Sequence, residues 1–547
     1  MHGSRNEPVR RLGLAALLLL LAAAAPGRAQ PVPLTTPAPA AEAAVPESTP
    51  DTPANKAGEP PIQATPLAPV DPAWVGTLAD AAHPLPQTMW QGTPRALVAA
   101  ALPRLAPTTS PTLRDLARRL LLSNAEAPQG PDMPDRPNLA ALRVERLMAL
   151  GEVDGALALL DALPMSLRND DLDRDRVELY FAKNDAQTAC REVHDGVGRH
   201  QGVWWDRALI ACQALAGDQA KAALGLGLLH EQQAPADPVF DALIRALGGR
   251  PAKLDKLPEP RPMLMTLLAA AKLPLPADAV AAADPSSLRG WADNAAVPPL
   301  QRLAAAERAA SLGAIPPAAL ADLYAKVEVK PEELGAAIKH GKAPATARDR
   351  AVLFHVARTD PAPGARAGAL QALLADARKR GDFITMAQVV APIISELTPS
   401  PEIARFAPDA ARALYAAGRA DAAKPWLDQI DPATAPLLPA LARLAPGIGA
   451  WEAALVNPSS PEDSTPLTDA THEAQLPNAA VWMAQERAAA AKRVGETVLM
   501  TLLIARVGDR LSAEPIVLNR AIEGLKAVGL DAEARALALE AALAAAI

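Results

Sequence analysis

The sequence has few of the residues that build an aromatic-rich core or a β-sheet. Aromatic residues make up 3% of the 547 residues, whereas 50% of the chain is apolar, much of it as alanine. Residues that favour strands rarely alternate with polar ones. Alanine has the highest helix propensity, and its small side chain lets helices approach closely. The composition therefore excludes a large aromatic core and predicts an all-α protein of closely packed helices.

The chain also lacks a concentrated basic face and, beyond its N-terminus, a long apolar run. Its formal net charge is −7, and its basic residues are spread along the sequence. The apolar segment at 498–505 is much shorter than the roughly 20 residues that cross a bilayer as a helix. Nucleic acid is therefore excluded as a main partner, because binding it needs clustered positive charge. We also expect no transmembrane span in the mature chain.

The N-terminus has the three parts of a secretory signal peptide. The pair Arg10-Arg11 precedes a short apolar run at 12–25, and small residues at 27 and 29 occupy the positions that a signal peptidase reads. We expect cleavage between Ala29 and Gln30, so that residues 1–29 are removed and the protein is exported to the periplasm or secreted. A twin-arginine signal, which the following residues match poorly, and a buried N-terminal helix are the alternatives.

Residues 30–72 are rich in proline, alanine and threonine and have hardly any large apolar residue. Repeated prolines remove backbone donors and favour extended backbone. We therefore expect a disordered, solvated linker at 30–72. A spacer from the envelope, or a ligand for a proline-binding domain, is the functional alternative.

Three helix–turn–helix units repeat every 33 residues between 139 and 230. Each turn has a residue that tolerates the left-handed conformation needed to end a helix. An alanine follows five residues later, where the two helices of a unit would cross closely. The turn residues are Gly151, Asn184 and Gly217, and the alanines are Ala156, Ala189 and Ala222.

This pattern resembles a degenerate version of the tetratricopeptide repeat family, whose period is 34 residues. The sequence departs from the family at Val144, Val177 and Ile210, where the family prefers a small residue, and the family's closing proline is not in register. The resemblance implies an irregular α-solenoid of stacked antiparallel helix pairs, in which the first helix of each pair lines a concave surface. An ordinary helical bundle is the alternative.

The same pattern, a turn residue followed by an alanine five residues later, recurs later in the chain without a fixed period. Glycines precede an alanine by five residues at three further places, and Gly381-Asp382 also has the character of a turn between helices. We expect tetratricopeptide-like repeats at 73–256, irregular helical repeats at 257–455 and a C-terminal helical cap at 479–547. The three pairs are Gly313 with Ala318, Gly418 with Ala423, and Gly529 with Ala534.

Residues 456–478 form a long stretch rich in serine, proline, threonine and aspartate, without helical periodicity. Loops of this length are uncommon inside compact regions and are often functional or serve as linkers. A flexible connector and a loop that covers a ligand are both consistent with this composition.

Signatures of catalytic, cofactor-binding and metal sites are incomplete. The acidic run at 171–175 begins like a calcium loop, but Arg176 and Ala182 replace the required glycine and glutamate. The glycine-containing run at 335–342 has one residue too many for a phosphate loop, and Ala343 follows in place of serine or threonine. We therefore expect a protein without an active site, cofactor or metal. An envelope enzyme, or a domain accessory to one, is the alternative.

Cys190 and Cys212 are the only two cysteines. An exported chain meets an oxidising compartment, in which cysteines form disulfides. Cys190 lies on the second helix of one unit and Cys212 on the first helix of the next, and these helices are neighbours in a stack. The sequence therefore predicts a disulfide between them.

First helices of the repeats carry basic and polar residues beside apolar ones, namely Arg143, Arg146, Arg207 and Gln213. Trp204 lies beside Trp205, and both cannot face one core because helical neighbours differ by about 100°. We expect these five residues to line a concave surface that binds a protein or peptide segment, in a scaffold of the cell envelope. Simple solvated helix faces are the alternative for the polar residues, and packing against the preceding helix is the alternative for Trp204.

Overall fold

The computed structural model describes residues 71–133, 137–340, 343–430 and 476–544, and the regular structure of these residues is almost entirely α-helical. The expected signal peptide with its cleavage site at Ala29 and Gln30 lies outside them, as do nearly all of the linker at 30–72 and of the segment at 456–478. No helix in the described ranges is long and apolar enough to cross a membrane.

The three predicted repeat units are helix pairs in the structure. Gly151, Asn184 and Gly217 have φ angles of 83°, 59° and 81°, and each lies between the two helices of its pair. The alanines that follow five residues later are fully buried where the helices cross. The helices of the N-terminal part of the chain are α1 Arg95–Ala101, α2 Pro111–Leu122, α3 Leu139–Ala149, α4 Val153–Ala162, α5 Asp170–Ala182, α6 Ala186–Val197, α7 Val203–Leu215 and α8 Gln219–Glu231.

Side-chain caps and prolines define where many helices begin. Asn138, Asn169, Asp185 and Asp218 each accept a hydrogen bond from a free N–H group in the first turn of the next helix. Proline occupies the first turn of many of the later helices, where its missing N–H is not needed. The middle helices are α9 Pro238–Leu247, α10 Pro262–Ala270, α11 Ala277–Ala282, α12 Pro285–Asp293, α13 Pro299–Ser311, α14 Pro317–Lys326, α15 Pro331–His340, α16 Ala347–Thr359, α17 Pro363–Arg380, α18 Phe383–Glu396, α19 Ala407–Ala416 and α20 Ala420–Leu427.

The predicted pattern, a left-handed glycine followed five residues later by a buried alanine, does not hold at one of its later positions. Gly313 has the left-handed conformation, with φ of 79°. Its helix, α14, begins four residues later at Pro317, whereas the helices after the other turns begin two residues after the glycine or asparagine. Ala318 therefore lies in the first turn of α14 and is exposed, whereas Ala423 and Ala534 are buried as expected.

The C-terminal helices pack against the N-terminal ones. One apolar core joins residues of α1–α5 to residues of the last four helices. A second core runs from α5 to α20 and also includes Ala542 and Leu543 of the last helix. A two-stranded antiparallel hairpin, which the sequence did not predict, precedes the last two helices. These elements are α21 Ala479–Ala490, α22 Val494–Ile504, β1 Arg506–Val507, β2 Arg510–Leu511, α23 Pro515–Ala527 and α24 Asp531–Ala544.

Packing is not confined to helices that are adjacent in sequence. Helix α5 contacts α10 and α12, α14 contacts α18, and α2 contacts α22 and α24. Contacts therefore cross the expected boundary at 256, and the described residues belong to one compact unit. The described part of the expected C-terminal cap, residues 479–544, contributes to the same apolar core as α1–α5.

Candidate partner-binding site

Arg143 does not line an open surface. Its residue is 7% exposed, and its guanidinium donates to the backbone oxygens of Leu121 at 2.7 Å, Val75 at 2.7 Å and Ala73 at 3.1 Å. Burial lowers the pKa of Arg143 to about 10. The guanidinium of Arg143 therefore joins α3 to backbone oxygens of α2 and of the segment at 73–75, and its contact with a partner stays a prediction.

Arg146 and Arg207 are also bound within the protein. Nη1 of Arg146 donates to the carbonyl oxygens of Pro103 at 3.1 Å and Leu105 at 3.2 Å. Arg207 donates to the carbonyl oxygen of Pro235. Both side chains are only partly exposed, and each holds a loop against a helix. The structure gives these arginines separate anchoring contacts and does not gather them into one basic patch.

Trp204 and Gln213 lie on α7 and are half-buried. The Trp204 ring packs edge-on against the ring of Trp205, with 4.8 Å between the centroids, and Arg174 lies over its face at 5.7 Å. The Trp205 indole nitrogen donates to Asp170 at 2.5 Å. The two tryptophans therefore fix the start of α7 against the start of α5.

The predicted disulfide is present. Cys190 on α6 is bonded to Cys212 on α7, with 5.5 Å between the Cα atoms. Close packing beside it depends on Gly196, because a Cβ atom there would lie 2.1 Å from the ring of Trp205. The pair α7–α8 is thus attached covalently to the preceding pair.

Helix α8, which follows this anchored helix, has apolar residues on two opposite faces. Ala222, Leu226 and Leu229 are buried against the core, whereas Leu224 is 66% exposed and Leu228 is 48% exposed. Leu224 and Leu228 are one turn apart and therefore adjacent on the helix surface. We call the exposed residues Ala220, Ala223, Leu224, Gly227 and Leu228 the α8 face.

Charged residues lie at the two ends of the α8 face. Lys221 lies near its N-terminal end and pairs with Asp218 at 2.6 Å, both being exposed. Glu231 lies at the C-terminal end of the helix and is exposed. Sequence analysis missed this surface, although an apolar residue at nearly every position of 222–229 is a signal that a helix is apolar all round.

The acidic run at 171–175 lies in the first half of α5, where Asp173 has partners within the protein. Asp173 is buried and accepts hydrogen bonds from Arg168 at 2.9 Å and Arg199 at 3.2 Å, and Nε2 of His200 lies 2.8 Å from it. These partners hold the pKa of Asp173 below its usual value against the effect of burial, which acts to raise it. Among the described residues, no group of three or more metal-binding side chains is present.

Comparison with known proteins gives no relative. No protein-family model matches the chain, and neither a curated protein nor a solved structure matches it. The class is therefore defined by the structure alone, as an all-α protein of packed helix pairs in the described ranges, with an exposed apolar face on the helix that follows the disulfide-bonded α7.

Proposed function

We propose that the protein is an exported, non-catalytic scaffold of the cell envelope, related to the tetratricopeptide repeat proteins, and that its α8 face binds a helix of a partner protein. The observation that carries this proposal is the exposure of Leu224 and Leu228 on a helix whose other face is already packed. Contiguous exposed apolar surface is characteristic of interaction sites.

The shape of the α8 face suits an amphipathic helix. Ala220, Ala223 and Gly227 are small, so that a partner helix can approach closely between the two leucines, as ridges pack into grooves. Recognition of this kind uses apolar anchors spaced by one helical turn. Covering the exposed parts of both leucines would contribute on the order of 2–3 kcal/mol, and further contacts would come from the flanks.

The charges at the ends of the α8 face indicate the direction of the partner. A partner helix with an acidic residue near Lys221 and a basic residue near Glu231 would be complementary to it. The pair between Lys221 and Asp218 lies at the surface, and surface ion pairs contribute little. Lys221 is therefore free to exchange Asp218 for a partner's carboxylate.

Export is supported by the disulfide, because disulfides persist in oxidising compartments, and by the N-terminal sequence pattern. The arginines that the sequence suggested for partner binding are not used in this proposal, because each of them donates to backbone oxygens within the protein. The proposal therefore places binding on the second helix of a pair instead of the first.

Site-specific crosslinking tests this proposal. A photoreactive residue at Ala223 should crosslink one partner in intact cells, and the crosslinked partner peptide should be an amphipathic helix. The same photoreactive residue at the exposed Ala318 on α14 is the matched control and should not capture that partner. Leu224→Ser with Leu228→Ser should abolish the crosslink while circular dichroism is unchanged.

Two results would change the proposal. If the crosslinked peptide is α8 of a second copy, and light scattering shows a dimer, the partner is the protein itself. If the double variant retains the same crosslink in the same yield, the α8 face is not the binding site.

A further inference from the structure

A cavity of about 250 Å³ lies where four distant parts of the chain meet. The segment before α2, the turn between α17 and α18, strand β2 and the end of α24 form its walls. Among the residues that line it are Arg378, Asp382, Arg510 and Glu540, together with the apolar Phe383 and Leu543. Two cationic and two anionic side chains thus surround a partly apolar space.

Asp382 is the last member of a buried chain of alternating charges. Arg350 donates twice to Glu307, at 2.7 Å each, and lies 3.5 Å from Asp376. Arg380 donates to Asp376 at 2.7 Å and also donates to Oδ2 of Asp382. This chain has three carboxylates and two guanidinium groups, so that one negative charge is left uncompensated within it.

The uncompensated charge lies at the cavity. Asp382 is 8% exposed, and its Oδ1 atom has no hydrogen-bond partner among the described residues. A buried polar atom without a partner is costly and rare. Burial accordingly raises the pKa of Asp382 to about 6. A cationic donor at this wall would supply both the missing charge and the missing hydrogen bond.

Glu540, the second carboxylate, is already saturated. It accepts hydrogen bonds from the backbone nitrogen of Thr112 at 2.8 Å, from the Thr112 hydroxyl at 2.6 Å and from the Ser110 hydroxyl. Of the two carboxylates in the cavity wall, Asp382 is therefore the one with an oxygen, Oδ1, that accepts no hydrogen bond.

Positive charge lies close to Asp382. Arg510 is exposed, and its Nη2 donates to the carbonyl oxygen of Arg380 at 2.6 Å. It packs against the backbone of Gly381, where a Cβ atom would lie 2.5 Å from Nε. Arg378 lies over the Phe383 ring, with its Cζ atom 4.4 Å from the ring centroid, and its Nη2 pairs with Asp409 at 3.0 Å. The exposed guanidinium of Arg510 therefore offers donors to an anion, whereas that of Arg378 already pairs with a carboxylate.

From this arrangement we infer that the cavity binds a small zwitterion with an apolar side chain, such as a free amino acid or a dipeptide. The ammonium group binds Oδ1 of Asp382, the carboxylate binds Arg510, and the side chain contacts Phe383 and Leu543. The volume is many times that needed for one water molecule and is large enough for a molecule of this size. The site is separate from the α8 face and does not depend on the proposed scaffold function.

Calorimetric titration of the unaltered full chain tests the charge requirement. Leucine and alanyl-leucine carry both charges, N-acetylleucine lacks the ammonium group and leucinamide lacks the carboxylate. At pH 7.5 at least one zwitterion should bind, and each blocked leucine should bind at least tenfold more weakly than leucine or not at all. Equal affinity for leucine and the blocked compounds, or no binding of either zwitterion up to about 10 mM, would overturn the inference.

Variants then assign each charge to a residue. In Asp382→Asn the preference for the free ammonium group should be lost, and in Arg510→Gln the preference for the free carboxylate should be reduced. Asp255→Asn is the matched control, because Asp255 is exposed and pairs only with Lys253 among its described contacts. If Asp382→Asn folds and keeps its preference for the ammonium group, the assignment is wrong. If this variant does not fold, the titrations of the unaltered chain with leucine and the blocked leucines still test the inference.

Discussion

Glu540 on the last helix caps the first turn of α2 through Thr112, 428 residues earlier in the sequence. Its carboxylate accepts a hydrogen bond from the Thr112 backbone nitrogen at 2.8 Å and from the Thr112 hydroxyl at 2.6 Å. The free N–H groups at a helix N-terminus favour a negative group. This contact, together with the shared apolar core, joins the two ends of the described chain.

Replacing Glu540 by leucine should lower the free energy of unfolding by about 2–3 kcal/mol. The variant leaves the Thr112 amide and the Ser110 and Thr112 hydroxyls without their acceptor, and unpaired buried donors are costly. Urea denaturation followed by circular dichroism measures the change. Glu523→Leu on the neighbouring α23 is the control, because the Glu523 side chain is 48% exposed, and it should change stability by less than about 0.5 kcal/mol. Equal effects would show that the cap contributes nothing specific.

Local features of the fold could be predicted from the sequence because their causes are local. A residue in the left-handed conformation ends a helix, and a small alanine five positions later lets the next helix pack closely against it. Gly151 with Ala156 is an example. The disulfide followed from the same reasoning, since Cys190 and Cys212 lie on consecutive helices. The exposed Ala318 shows where this reasoning fails, because burial of the alanine depends on where the next helix begins.

Contacts between distant segments could not be predicted. Nothing near Thr112 indicates that its cap is Glu540, and the cavity at Asp382 requires four segments to meet. The hydrogen bonds of Arg143 could not be predicted for the same reason, because an arginine on a helix gives no sign that backbone carbonyls 22 to 70 residues away will surround it. Single-sequence periodicity reports which face of a helix is apolar, but not what covers it.

Loss of the disulfide should lower the free energy of unfolding by about 3 kcal/mol in the chain-entropy model, because the loop it closes is short. Cys190→Ser with Cys212→Ser should show this in urea denaturation. The unaltered protein in reducing buffer should match the double variant, and the reductant should not affect the variant. Two free thiols in denatured, non-reduced protein would contradict the pairing.

Arg143→Leu should destabilise the protein by about 2–4 kcal/mol. The change removes three hydrogen bonds and leaves buried carbonyl oxygens without donors. Arg250→Leu is the control, because Arg250 is exposed. Thermal and urea denaturation measure both variants. A variant at 143 as stable as the control would mean that the guanidinium contacts contribute nothing net.

The stability of the protein should depend on pH through Glu178. This glutamate on α5 is buried, and its Oε2 accepts a hydrogen bond from the Met263 backbone nitrogen at 2.9 Å. Burial raises the pKa of Glu178 to about 7. A carboxyl group with a raised pKa in the folded state binds its proton more tightly there than in the unfolded chain. Its stabilising effect is therefore complete below about pH 4.5 and is lost as the pH rises through about 7.

The free energy of unfolding should accordingly fall between pH 5 and pH 8, with up to about 3 kcal/mol of the fall due to Glu178. Glu178→Gln keeps an acceptor for the Met263 nitrogen but cannot ionise, so that the fall should become smaller. It should not disappear, because burial also raises the pKa of Asp175 and of Asp382 to about 6. Glu259→Gln, at a side chain that is 77% exposed, should leave the slope unchanged. Urea denaturation at several pH values measures all three proteins, and parallel curves for Glu178→Gln and the parent would show that Glu178 does not titrate in this range.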